Sequence, residues 1–100
     1  MNNQNKTIAK WHNAKIDSPK KNGSYIVCSK LQYYKDKEEH ITSIVRVISY
    51  ATDLYKVDKF DFADKKGKSG WYSYDSEWGY FERNDILYWM ELPKTPIESR

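Results

Sequence analysis

Ile86-Leu87-Tyr88-Trp89-Met90-Glu91-Leu92 is an apolar run broken by a single acid and closed by Pro93. It is too short for an amphipathic helix and rich in aromatic and branched side chains, so it reads as a strand. Pro93 stops it because proline offers no ladder N–H. Alternation sets Ile86, Tyr88, Met90 and Leu92 against Leu87 and Trp89. Both faces are therefore apolar, which makes this strand the expected spine of the core. Glu91, on the Leu87/Trp89 face, is expected at a solvated rim.

Upstream segments read in the same way. Asp17-Ser18-Pro19 and Asn22-Gly23 mark a tight loop, since Pro fixes φ and Asn-Gly tolerates positive φ. Ser24 to Ser29 reads as a strand around Tyr25-Ile26-Val27-Cys28. The charged run Lys35 to His40 reads as a solvated hairpin loop. Ile41 to Ala51 is dense in β-branched residues and long enough for a central strand. Lys56 to Ala63 alternates, with Val57, Lys59, Asp61 and Ala63 on one side and Asp58, Phe60 and Phe62 on the other. Lys65 to Gly70 is a basic turn, and Gly70–Tyr74 with Trp78–Glu82 predicts a hairpin about Asp75-Ser76-Glu77.

Helical signals are sparse. Thr52 could cap one turn through Tyr55, and Leu31 to Glu39 has helical propensity without an apolar stripe. The pattern predicts a mainly β protein: a small antiparallel sheet or open barrel of five to six strands, with at most one short helix. A small α+β domain is the alternative. One β-rich domain is expected over residues 8–96, between polar tails at 1–7 and 97–100.

Composition bounds the function. Aromatics number 16, with nine Tyr and four Trp, in a chain of 100 residues. Tyr and Trp bring large contact area and a polar handle, which suits thin sheets and binding surfaces. The net charge of +3 is uneven, with eight lysines against four acids in the first forty residues. That falls short of a basic footprint. A single cysteine, Cys28, excludes an internal disulfide and fits a reducing compartment. No apolar run approaches the length of a membrane span, and the first residues are polar, so a cytoplasmic location is expected.

Several of these residues together carry a resemblance: Trp11; Ser18-Pro19 and Asn22-Gly23 ahead of Tyr25-Ile26-Val27; Ile48-Ser49-Tyr50; Gly70-Trp71; and Ile86 through Leu92-Pro93-Lys94-Thr95-Pro96. The chain resembles a family of short phage and prophage proteins of unassigned function. Their members open with a Trp, carry a Pro-x-x-Gly turn before a valine-rich strand, and end in Trp-Met-x-Leu-Pro-x-x-Pro. The resemblance spans Trp11 to Pro96 and is most specific at its end. Two departures stand out: an insert-like middle, Leu31 to Glu39, and Tyr88 where a small polar residue followed by an aromatic is commoner. The resemblance implies a bacterial or phage source, action in the bacterial host's cytoplasm and an accessory role, and it lends no chemistry.

The residues themselves offer no catalytic set. Cys28 lies in an expected strand with only His12 and His40 as basic partners, and nothing in its surroundings lowers a thiol pKa. It reads as a buried structural cysteine. No Cys or His spacing suits zinc. Asp58, Asp61 and Asp64 lack the spacing and the terminal Glu of a calcium loop. Asp75 and Glu77, beside Trp71 and Trp78, could be imagined as a glycosidase pair, but two carboxylates on one turn ordinarily face water. No metal, no cofactor and no enzymatic activity are expected.

The better lead is the aromatic hairpin: Trp71, Tyr72, Tyr74, Trp78 and Tyr80. Exposed Tyr and Trp beside charge make recognition surfaces. The competing expectation is that they pack a thin sheet, most of all Trp71 and Trp89. The sequence therefore predicts a non-enzymatic accessory protein that binds a host or phage protein, or a second copy of itself, through this hairpin. One alternative is a small nucleotide-like ligand held in an aromatic pocket, as in phage counter-defence. Another is single-stranded nucleic acid at Lys20-Lys21 and Lys65-Lys66-Lys68, disfavoured because Asp58, Asp61, Asp64, Asp75, Glu77, Glu82 and Asp85 share the second half with that lysine turn. No membrane partner is expected.

Overall fold

Ile41 to Ala51 forms most of the longest strand among the described residues, as its branched side chains favour. The computed structural model describes residues 10–93; the two expected polar tails, 1–7 and 97–100, lie outside the described residues. The strands are β1 (His12–Asn13), β2 (Gly23–Lys35), β3 (Glu38–Ala51), β4 (Gly70–Asp75), β5 (Gly79–Arg83) and β6 (Ile86–Glu91). All pair antiparallel in one open sheet of order β1-β6-β2-β3-β4-β5. The fold is mainly β, and it is the open sheet of the two expected forms. One short 3-10 turn, Leu54–Lys56, is capped by Asp53, whose carboxylate accepts the Tyr55 N–H.

The charged run Lys35–His40 is mostly strand. β2 and β3 pair from Gly23↔Tyr50 out to Lys35↔Glu38, which leaves only Asp36 and Lys37 in the turn. Both have positive φ, 54° and 68°. Those are the angles of a type I′ turn, whose twist matches that of the flanking strands. The insert-like middle is thus the end of a long two-stranded arm.

Lys56–Ala63 is not a strand. Asp58 Oδ1 accepts the N–H groups of Phe60 and Asp61, each at 2.9 Å, and Asp53 Oδ1 accepts Gly67 N–H at 2.8 Å. The local Asp58 bonds bend the backbone into a turn, and the Asp53 bond ties the far end of the segment back to its start. Apolar alternation imitated a strand, yet Phe62 is buried while Phe60 is 93% exposed.

The sheet has apolar side chains on both faces. On its front face Val27, Ile48, Tyr50, Trp71, Ile86 and Trp89 form a cluster, with Tyr25 and Ala14 against it. The segment after β1 covers this cluster: Pro19 is buried, and Trp89 Nε1 donates to the Asp17 carbonyl at 3.0 Å. On the back face Ala51, Leu54 and Phe62 form a second cluster, with Val57, Tyr72 and Tyr80 against it. Adjacent residues serve opposite clusters, Tyr50 against Ala51 and Trp71 against Tyr72, as period-two geometry requires.

β6 departs from simple alternation. Cys28 pairs with Tyr88, but Ser29 pairs with Ile86, so Leu87 is an extra residue in a β-bulge. Ile86 therefore joins Trp89 in the front cluster instead of sharing a face with Tyr88 and Met90. Burial of Ile86 and Trp89 makes the strand a core element as expected. Glu91 is exposed beside Trp89, at the rim where its face placed it.

Candidate functional site

The aromatic hairpin forms where the sequence placed it, but its five aromatics do not share a surface. Trp71 is buried in the front cluster, with ring centroids 4.9 Å from Tyr50 and 5.8 Å from Tyr25. Tyr72 and Tyr80 pack on Phe62 at 6.3 and 6.5 Å. Only Tyr74 and Trp78 are exposed, Trp78 by 81%. In the turn, Asp75 Oδ1 accepts the N–H groups of Glu77 and Trp78, so this carboxylate is a turn lock. The thin-sheet expectation describes three of the five; the surface expectation describes Tyr74 and Trp78.

A second exposed apolar surface lies on the back face, where register builds it row by row. Met90 pairs with Ile26, and Ile26 with Val47; Tyr88 pairs with Cys28, and Cys28 with Val45. Directly paired residues of an antiparallel sheet point to the same side, so these are two continuous rows across β6, β2 and β3. Val45 and Val47 are 63% and 55% exposed, and Tyr88 is exposed as well. Trp11 stands beside them, lining an apolar groove of about 260 Å³ with Cys28 and Tyr88. Residues 52–69 fold over the β3–β4–β5 half of this face, and no segment among the described residues folds over the β6–β2–β3 half in the same way.

Cys28 is therefore half-buried on an apolar face and not a core cysteine. His12 lies on the front face, stacked on Trp89 at 4.3 Å with Nδ1 2.9 Å from Asp17 Oδ2. His40 sits on the arm against Tyr33, at 5.3 Å. The sheet thus keeps Cys28 and His12 on opposite sides. Among the described residues no group of three His, Cys, Asp or Glu side chains is placed to hold a metal ion. Asp58 and Asp61 serve backbone N–H groups instead, Asp61 Oδ2 accepting Tyr80 N–H at 2.8 Å.

A second concavity lies on the front face. Pro19, Lys20, Lys21, Tyr25, Trp89 and Glu91 enclose about 310 Å³. Tyr25 donates its hydroxyl proton to the Lys21 carbonyl at 2.8 Å, and its ring meets Trp89 edge-on at 5.3 Å. Burial first, then the charge of Glu91 and the neighbouring Tyr50, pushes the Tyr25 phenol above its ordinary value, so it stays a proton donor. The other lysine group is engaged elsewhere: Lys65 pairs with Glu82 at 3.1 Å, and Lys66 lies 5.7 Å from the Tyr55 ring centroid.

Compared with protein-family models, curated proteins and solved structures, the chain matches none. Its function is therefore read from these surfaces. Among the described residues no helix is long and apolar enough to cross a membrane. The bare face carried one signal in the sequence: Ile41–Ala51 is apolar at both parities, with Val45 and Val47 alternating against Ile44, Ile48 and Tyr50.

Proposed function

We propose that this chain is a non-catalytic binding protein whose bare back face receives a protein partner, in an accessory role of the kind the phage-family resemblance implies. The supporting observation is the pair of apolar rows Met90–Ile26–Val47 and Tyr88–Cys28–Val45, with the Trp11 groove at their end. Apolar side chains in adjacent rows are costly to leave in water and make the desolvated centre of an interface. The partner is a host or phage protein presenting an apolar surface of its own. Affinity capture from a bacterial lysate with wild-type bait, Val45→Glu/Val47→Glu bait and Trp78→Ala bait tests this. The partner is expected on the first and third baits and lost from the second. A partner held by the double variant but lost with Trp78→Ala returns recognition to the hairpin and overturns the proposal.

The front concavity favours a second reading, a small nucleotide-like ligand. Two aromatic rings offer edges and faces for a base, and Lys20-Lys21 offer charge for a phosphate. Titration of nucleoside mono- and diphosphates, followed by tryptophan fluorescence, should show saturable quenching that Lys20→Ala/Lys21→Ala removes. A flat titration eliminates this reading and leaves the back-face proposal intact.

A further inference from the structure

β3 is paired along its whole length on one side only. Its β2 side is closed from Glu38 to Tyr50, whereas β4 meets it only at Ser49, Tyr50 and Ala51. From Glu38 to Ile48 the second edge has no strand beside it among the described residues. An edge of this length is ordinarily guarded by lysine, proline, a bulge or an inward charge. β3 has no lysine and no proline, its register with β2 is unbroken, and the inward charge it does carry, Arg46, lies at the far end of the stretch. The stretch Ile41-Thr42-Ser43-Ile44-Val45 is instead strongly β-forming.

A second observation concerns Arg46, on the front face opposite Val27. Its Nε is buried and has no hydrogen-bond partner. A buried guanidinium donor left unmatched is costly, and a carboxylate is its usual complement. Glu38 lies on the same face of the same strand, and no ion pair among the described residues includes it.

We propose that the free edge of β3 receives β3 of a second copy of this chain, antiparallel about a twofold axis through Thr42, so that Glu38 of each copy meets Arg46 of the other. A twofold that continues an antiparallel sheet stands perpendicular to it, so front residues pair with front residues and back with back. Centred on Thr42, the pairs are Glu38 with Arg46, His40 with Ile44 and Thr42 with itself on the front. Glu39 with Val45 and Ile41 with Ser43 follow on the back. The contact is confined to Glu38–Arg46, clear of the residues that β4 already pairs. Centring on Ser43 instead sets His40 against Arg46 and Glu38 against Ile48, which gives neither charge a partner across the edge. The shared sheet also brings the two bare back faces onto one side. The inference stands apart from the back-face proposal, because it rests on the strand's edge and not on its face.

Light scattering on the full chain tests the stoichiometry and is expected to give twice the chain mass. Glu38→Arg places like charges together twice and should weaken the dimer by roughly tenfold or more. Arg46→Glu should do the same, and mixing the two variants should restore a dimer, since each copy then supplies the charge the other lacks. In a Cys28→Ser background, Thr42→Cys should form an intermolecular disulfide on mild oxidation, since self-paired residues lie within bridging distance, whereas Ser43→Cys should not. A chain that stays monomeric throughout the concentration range overturns the proposal. So does a dimer indifferent to Glu38→Arg but dissolved by Val45→Lys. That second result would mean that copies join face to face, because at the edge a lysine at 45 would meet Glu39 favourably.

Discussion

The two halves of the back face are made of similar residues and meet different fates. Over β3, β4 and β5, Ala51, Tyr72 and Tyr80 are covered by Leu54 and Phe62. Over β6, β2 and β3, Ile26, Val45, Val47, Tyr88 and Met90 have no such cover among the described residues. The difference lies in anchoring. The covering segment is held down by carboxylates: Asp53 binds the 3-10 turn and Gly67, Asp58 shapes the bend before Phe62, and Asp61 reaches Tyr80 N–H. Coverage of a sheet face thus depends as much on polar latches that hold a loop as on the apolar residues beneath it.

The covered half can be broken at its centre. Leu54 is completely buried, so Leu54→Ala should cost about 2–5 kcal/mol, measured by urea denaturation. The latch is a smaller target. Gly79 has φ +82°, and a Cβ there would stand 2.6 Å from Asp61 Oδ2. Gly79→Ala should therefore cost about 1–2 kcal/mol from backbone strain alone, with more from displacing the carboxylate. Asp61→Ala should cost about 1 kcal/mol in wild type and less in the Gly79→Ala background, where a double-mutant cycle would register the displaced latch.

The bare half should answer in binding and not in stability. Val45→Ser/Val47→Ser is expected to shift unfolding by only about 0.5 kcal/mol while abolishing partner capture. A loss as large as that of Leu54→Ala would mean that the face is covered in solution. The front face supplies a control that touches neither half. Arg83 donates to both carboxylate oxygens of Asp85, at 3.0 and 2.6 Å, and this hydrogen bonding holds the Asp85 carboxyl below its ordinary value. A depressed carboxyl stabilises the fold fully above the unfolded value of about 3.9, and the contribution fades as pH falls through the lower folded value. Asp85→Asn should therefore lower stability at neutral pH, flatten the acid limb of the stability curve, and change little below the folded value, where the wild-type carboxyl is already protonated.

Much of this architecture is legible in the residues because branched and aromatic side chains mark strands locally. Ser24–Ser29, Ile41–Ala51, the 70–82 hairpin and the last strand all follow from that signal. What is hidden depends on contacts between distant segments. Lys56–Ala63 alternates like a strand, yet Asp58 and its neighbours bend it. Lys35–His40 has loop composition, yet its ends pair because the register already set by Ile26↔Val47 carries outward. The candidate site was half visible. Ile41–Ala51 was readable as a strand dense in branched residues, but which face stays uncovered depends on where residues 52–69 settle. The hairpin aromatics were conspicuous in sequence and are mostly consumed by packing.

The extra residue at Leu87 gives the last strand something like a reading frame. Before it, Ile86 is read by the front face; after it, Trp89 is read by the front face again, although the two stand three positions apart. Taking Leu87 into regular register while keeping the outer pairing, Tyr88 with Cys28, would send Ile86 to the back face. Keeping the inner pairing would instead turn Trp89 outward and bring Tyr88 and Met90 into the aromatic cluster. One residue thus sets which side of the sheet holds the protein together and which side is offered to the outside.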